Sequence, residues 1–254
     1  MLMNDELMMQ VFFEIHSELP REGPGSFEST KKAFSMLSEL PSQPLILDIG
    51  CGPGMQTLDL CELMNGNIVA IDNHEPFLKQ LAEKARQRDV ANRITIVNAD
   101  MAALDFKTCA FDLIWAEGSA YITGFENALR MWKPLLKSRG YLAATEVSWI
   151  NTDPSEELLS FWAEEYPAIR DIDSNLAIVC DAGYDVIGQF VLPESDWWDH
   201  YYRPIEPKLF ALRDKYKENP EALAVIDLHE REINLYRRYS YYYGYVFYVM
   251  QVPP

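Results

Sequence analysis

From Pro44 onward the chain alternates short apolar runs with stretches whose apolar residues recur at helical spacing. LILDIG is an apolar run ending in glycine, and a helical stretch over 55–64 follows it. NIVAID comes next, then an amphipathic segment from 75 to about 89, then RITIVNAD and FDLIWAE. A helix over about 125–136 leads through Lys137-Ser138-Arg139-Gly140 into YLAATEV. Runs that are apolar throughout, with no alternation of polar residues, predict strands buried on both faces. Strands of that kind separated by helices predict a largely parallel sheet with helices on each side.

The flanks carry a different pattern. Residues 1 to about 40 read as a helical preface broken by REGPGSFES, whose two glycines and proline mark turns and suit a hinge. Its first residues are acidic where a signal peptide needs basic ones, so the preface is expected to be part of the folded protein. After Pro154 the pattern predicts one helix to about 181, then a strand in YDVIGQFVL. The aromatic stretch SDWWDHYYRP introduces two helices, about 206–217 and 220–239, before the β-prone close YYYGYVFYVMQV. The last two strands are too far apart for a hairpin, so the helices between them are an insertion.

Composition narrows the possible partners. The 254 residues are 48% apolar, enough for a substantial core, and no apolar run approaches a membrane span. The net charge of −17 (22 basic against 39 acidic residues) repels phosphate backbones and argues against nucleic-acid substrates. Cys51, Cys61, Cys109 and Cys180 lack CxxC pairing, which predicts reduced, buried, inert thiols in a cytoplasmic protein, and no metal site is expected.

The chemistry concentrates in Asp48-Ile49-Gly50-Cys51-Gly52-Pro53-Gly54, which follows a strand and opens a helix. Glycines there let the backbone turn sharply and approach a ligand closely. The spacing is GxGxG, and Met55 stands where a dinucleotide-binding GxGxxG needs its third glycine. Asp48 precedes the loop at a position suited to the ammonium group of a bound amino acid. Asp72 ends the next strand, where a carboxylate accepts hydrogen bonds from ribose hydroxyls.

These residues resemble motif I and its acidic partner in the class I S-adenosylmethionine-dependent methyltransferases. The likeness continues through Asn98-Ala99-Asp100-Met101, Phe111-Asp112-Leu113-Ile114-Trp115 and the Pro134 to Gly140 turn, where Ser138-Arg139 replaces the family's usual glycine. The resemblance implies a Rossmann-like fold, a seven-stranded, mostly parallel sheet with helices on both faces and an antiparallel last strand. It implies one domain, with a helical lid over 1–42, a core over 43–192, an insertion over 193–240 and the last strand in 241–254. It also implies S-adenosylmethionine as cofactor, with S-adenosylhomocysteine as product. The donor would be held by Asp48, Gly50, Gly52, Gly54, Asp72, Asn73, Asp100, Met101, Ala116 and Glu117.

A sulfonium methyl is already electrophilic, so catalysis reduces largely to proximity and orientation, helped by a base where the acceptor must lose a proton. Tyr121 and Glu146 lead the candidates because both belong near carboxyl ends of strands; His16, His200 and His229 follow. Ala116-Glu117-Gly118-Ser119 lacks the N/D-P-P-Y pattern of adenine and glutamine methylases, and no Pro-Cys pair suits cytosine C5 chemistry. Glu117 and Glu126 have the separation of the paired glutamates of protein arginine methyltransferases, although their flanks differ. The remaining resemblance is to small-molecule enzymes of quinone biosynthesis and secondary metabolism, with the acceptor under the aromatic-rich preface and insertion. A non-catalytic protein that binds the methyl donor for regulation or scaffolding is the alternative.

Overall fold

The computed structural model describes residues 5–254. The preface supplies α1 (Asp5–His16) and α2 (Phe27–Phe34), and its first four residues lie outside the described ones. The alternating core follows as β1 (Leu45–Ile49), α3 (Met55–Leu63), β2 (Asn67–Asp72), α4 (Glu75–Gln87), β3 (Ile94–Asn98), β4 (Phe111–Ala116), α5 (Phe125–Trp132) and β5 (Leu136–Trp149). Then come α6 (Glu156–Glu165), β6 (Arg170–Asp171), α7 (Ile172–Asp181), β7 (Asp185–Val191), α8 (Glu194–Trp197), α9 (Arg203–Lys215), α10 (Pro220–Tyr239) and β8 (Tyr243–Gln251).

The main sheet has the order β3-β2-β1-β4-β5-β8-β7, parallel through β5, with β8 antiparallel to both neighbours. This is the expected seven-stranded path, with one addition: the two-residue β6 pairs with the end of β5. The single helix expected after Pro154 is two. Pro167 removes a backbone donor just after α6, and Asp171 caps α7 by accepting from the Ser174 amide at 2.7 Å. The helix expected over 125–136 stops at Trp132 and tightens into a short 3₁₀ turn around Pro134. Arg139, standing where the related turns carry glycine, takes the left-handed region with φ 61°, a conformation that disfavours any side chain.

Both faces of the inner strands are buried, which is why β1, β4 and β8 read as continuous apolar runs, while the edge strands β3 and β7 are more exposed. Ile46, Leu113 and Trp115 pack to one side with Leu58, Leu78 and Leu81 of α3 and α4. Leu47, Ile114 and Ala116 pack to the other with Phe125, Leu129 and Val179 of α5 and α7. A third apolar layer joins α1, α6, α9 and α10 over the end of the sheet marked by Val147 and Tyr243. Cys51 and Cys61 are buried as expected, but Cys109 and Cys180 are exposed. Among the described residues no helix is long and apolar enough to cross a membrane.

The REGPGS stretch is pinned instead of forming a free hinge. Arg21, 3% exposed, donates to Glu117 Oε2 and to Asp59 Oδ2, both at 2.6 Å. The Gly25 amide reaches the Asp196 carbonyl at 3.1 Å, and Ser29 Oγ donates to the Asp196 carboxylate at 2.5 Å. The preface is thereby fastened to α3, to the loop after β4 and to α8. Arg21→Ala strips the shared cation from two buried carboxylates and is expected to cost about 3–5 kcal/mol; urea denaturation reads the loss. Deleting residues 1–28 removes the same cation, so the truncated chain is expected to be destabilised and not merely to lose a lid.

Candidate active site

The parallel strands end at one edge, and the loops leaving β1, β2, β3 and β4 gather there. After β1 the backbone turns through Gly50 at φ 71° and Gly54 at φ 88°. A Cβ on Gly50 would lie 2.5 Å from Cβ of Ser119, and one on Gly54 would lie 2.2 Å from Leu81 Cδ1. Gly50 therefore admits the loop after β4, and Gly54 lets α3 begin against α4. Ser119 Oγ closes the first contact by donating to the Ile49 carbonyl at 2.6 Å.

The resulting cavity, about 220 Å³, is lined by Gly50 and Gly52, by Asp72 and Asn73, by Asp100 and Met101, and by Glu117. These predicted donor residues converge there from four separate loops. Asp72 already accepts from the amides of Gly52 at 2.9 Å and His74 at 2.8 Å, which sets its carboxylate beside the glycine loop. Its remaining lone pairs are free for a ligand. Asp100 similarly accepts from the Ala102 amide at 2.9 Å.

Three predicted residues stand behind the cavity. Ala116 is wholly buried in the core, and Gly54 serves the α3–α4 packing. Asp48 is completely buried, accepts from Thr57 Oγ1 at 2.5 Å and has no partner at Oδ1; burial pushes its carboxyl up to about 7. Glu117 reaches the cavity but also accepts from Arg21, from Thr30 at 2.8 Å and from Trp115 Nε1 at 2.8 Å. Glu126 is ion-paired with Arg130 on the exposed face of α5 and lines neither cavity, so the glutamate pair of the arginine reading is not assembled.

A second cavity of about 600 Å³ opens beside the first. The two share Phe12, His16, Glu22, Gly23, Pro24, Gly118 and Tyr121 as a common wall. Its far walls come from α6, α10 and the α8–α9 junction, including Phe161, Trp162, Trp197 and Tyr201. Tyr121 is 44% exposed, its open surface being cavity wall, and burial together with Glu232, Glu146 and Glu22 raises its hydroxyl above the usual tyrosine range. It can donate a hydrogen bond but is no base near neutral pH. Glu146 lines neither cavity. It lies beneath Tyr166, accepts its hydroxyl at 2.6 Å, and is pushed by burial up to about 7. Tyr166, which sequence patterning does not single out, is the residue of that pair facing the cavity.

Glu22 is the other residue that patterning misses, since a lone acid in a turn carries no local signal. Its Cγ would lie 3.2 Å from a Cβ on Gly52, and neither carboxylate oxygen has a hydrogen-bond partner. Burial, then the Asp72 charge, push it up to about 8. Beside it His16, 2% exposed, is held by burial down at about 4 and is therefore neutral. Among the described residues no cluster of histidine, cysteine and acidic side chains suits a metal ion.

Residues 46–140 match the family model described as a methyltransferase domain. This stretch of the chain is similar to a methyltransferase domain. The sterol 24-C-methyltransferase of Kluyveromyces lactis is 22% identical over 171 residues, 63% of this chain and 46% of that enzyme. The chain thus spans under half the length of that curated relative. A Geobacter sulfurreducens S-adenosylmethionine-dependent methyltransferase, solved with S-adenosylhomocysteine, superimposes with a TM-score of 0.81 at 19% identity, covering 96% of this chain and 98% of that one. The [4+2]-cyclase SpnF superimposes at 0.74 and 18% identity, covering 98% and 93%. At these identities the structures share the Rossmann-like fold of the methyltransferase domain; they do not fix its reaction.

The buried acids of the domain give stability a pH dependence. A carboxyl raised in the folded state holds its proton where the unfolded chain has released it, so folding weakens as pH rises toward the folded value. The lowered His16 works in the opposite sense, but only below about its unfolded value of 6.5. Between pH 6.5 and 8 the raised carboxyls of Glu22, Asp48 and Glu146 dominate. The ligand-free protein is expected to melt at a lower temperature at pH 8.5 than at pH 6.5. Glu146→Gln should shrink that difference in paired thermal scans.

Proposed function

We propose that this protein transfers the methyl group of S-adenosylmethionine to a small-molecule acceptor. The observation that carries the reading is the shared wall: the glycine-loop cavity opens directly onto a larger aromatic cavity. A donor and an acceptor would meet at Glu22, Gly118 and Tyr121. The 46–140 family match and the fold likeness support the same reading.

The residues present fit the donor. Gly50 and Gly52 keep the loop clear of side chains, and the unpartnered carboxyl of Glu22 offers hydrogen-bonding oxygens beside it. In this reading Asp72 accepts the ribose hydroxyls, Asp100 the adenine amino group, and Met101 packs on the base, with Asn73 and the Glu117 backbone completing the walls. Asp48 acts from behind the loop through Thr57 on α3. When bound, the donor supplies an electrophilic sulfonium methyl. The chain's own part is to position the acceptor and exclude water, which the fastened preface and the insertion helices accomplish by roofing the second cavity. Tyr121 donates a hydrogen bond toward the acceptor, and Tyr166, whose hydroxyl proton is held by Glu146, presents its oxygen as a hydrogen-bond acceptor. The exposed, unpaired Cys109 and Cys180 fit a reducing cytoplasm.

Asp72→Ala is expected to weaken donor binding on the order of ten- to a hundredfold, the worth of lost charge-assisted bonds, with the circular dichroism spectrum retained. Calorimetric titration with S-adenosylhomocysteine measures it, and unchanged affinity removes the assignment. Incubation with radiolabelled donor and a metabolite extract is expected to yield a labelled small molecule. Donor binding without any labelled product would instead make this a donor-sensing protein.

A further inference from the structure

The second cavity is apolar in shape but acidic in charge. Among the described residues its lining includes Glu22, Glu165 and Glu232 and neither lysine nor arginine. Glu232 accepts from Tyr202 Oη at 2.7 Å, a partner that brings no opposite charge. The two histidines of the lining add no positive charge near neutral pH, because burial lowers both His16 and His229. Lys208, the lysine whose field reaches Glu22 and His16, bonds outward to Ser17.

Around these acids stand the rings of Phe12, Phe161, Trp162, Trp197 and Tyr201. His16 is 2% exposed and lines the cavity, yet neither ring nitrogen has a hydrogen-bond partner. Its Nδ1 lies 3.2 Å from Glu22 Oε2, so Nδ1 is the nitrogen that faces a carboxylate and Nε2 the one left over. A neutral imidazole with its proton on Nδ1 presents Nε2 as an acceptor.

We infer that this cavity binds an ammonium ion carried on an apolar body, with the Glu232 carboxylate as counter-charge, Glu22 and His16 as hydrogen-bonding groups beside it and the aromatic rings as cation-attracting walls. A purely neutral lipid would bury these carboxylates against hydrocarbon with no compensation. An anion would meet three acids and no cation. An alkylammonium satisfies the acids and the rings together. The inference deepens the methyl-transfer reading by naming the acceptor class, an amine, and rests on that reading only for the word acceptor.

Three probes of similar size separate the possibilities: 4-phenylbutylamine, 4-phenylbutan-1-ol and 4-phenylbutanoate, each titrated calorimetrically into the full chain at pH 7 without donor. The amine is expected to bind about tenfold or more tightly than the alcohol, and the carboxylate to bind weakest. Glu232→Gln keeps the Tyr202 contact and removes the charge. It should cut the amine preference severalfold while leaving affinity for S-adenosylhomocysteine unchanged. Equal binding of alcohol and amine overturns the inference, as does a preference that survives in both Glu232→Gln and Glu22→Gln. The wild-type comparison needs no variant to fold. Failure of S-adenosylhomocysteine to bind would count against methyl transfer alone, since the probe ranking is read without donor.

Discussion

The buried guanidinium of Arg21 joins parts of the chain that nothing else in sequence brings together. One fork holds Asp59 on α3 and Glu117 after β4, each at 2.6 Å and each itself nearly inaccessible. An arginine suits this position because its planar fork serves two carboxylates in fixed directions, which a lysine cannot do. The pair of bonds places Glu22, Gly23 and Pro24, the very next residues, as the wall between the two cavities. Together with the bonds of Gly25 and Ser29 to Asp196, that anchor fixes the register of the preface over the sheet.

The anchor also accounts for how unevenly the acids are treated. Asp59 and Glu117 are bonded to a cation, whereas Glu22 has a neutral histidine beside it and feels Lys208 and Lys84 only at a distance. Folding ordinarily avoids burying charge unmatched, because the lost hydration is not returned by protein contacts. Groups left in that state at the junction of two cavities are those a ligand can satisfy. The structure thus leaves an unsatisfied acid at the place where two ligands would meet, and pairs its acids with a cation where only architecture is at stake.

The roof over the larger cavity is assembled from distant pieces, α1 from the preface and α9 and α10 from the insertion, cross-linked by Glu14 to Lys215 at 2.6 Å and to Tyr216 at 3.0 Å. Its aromatic residues serve as core on one side and cavity wall on the other: Trp197 stacks on Tyr236 at 4.3 Å while also lining the chamber. The chamber is therefore built by helix packing over a sheet edge whose loops are held separately.

What the sequence determined by itself was everything carried by local pattern. Apolar runs buried on both faces declare the parallel strands, and the GxGxG loop with Asp72 and Asp100 declares the strand-end cavity, because glycine spacing and strand-terminal acids are properties of contiguous residues. Boundaries that depend on a single proline or cap, as between α6 and α7, were blurred for want of any long-range signal. Only the tertiary structure decided that Asp48 lies behind the loop, that Glu146 acts through Tyr166, and that Glu22 and His16 face the cavities. Those facts depend on how separate elements pack against one another. Burial and unmatched charge exist only after the chain has closed on itself, so no periodicity along the sequence could record them.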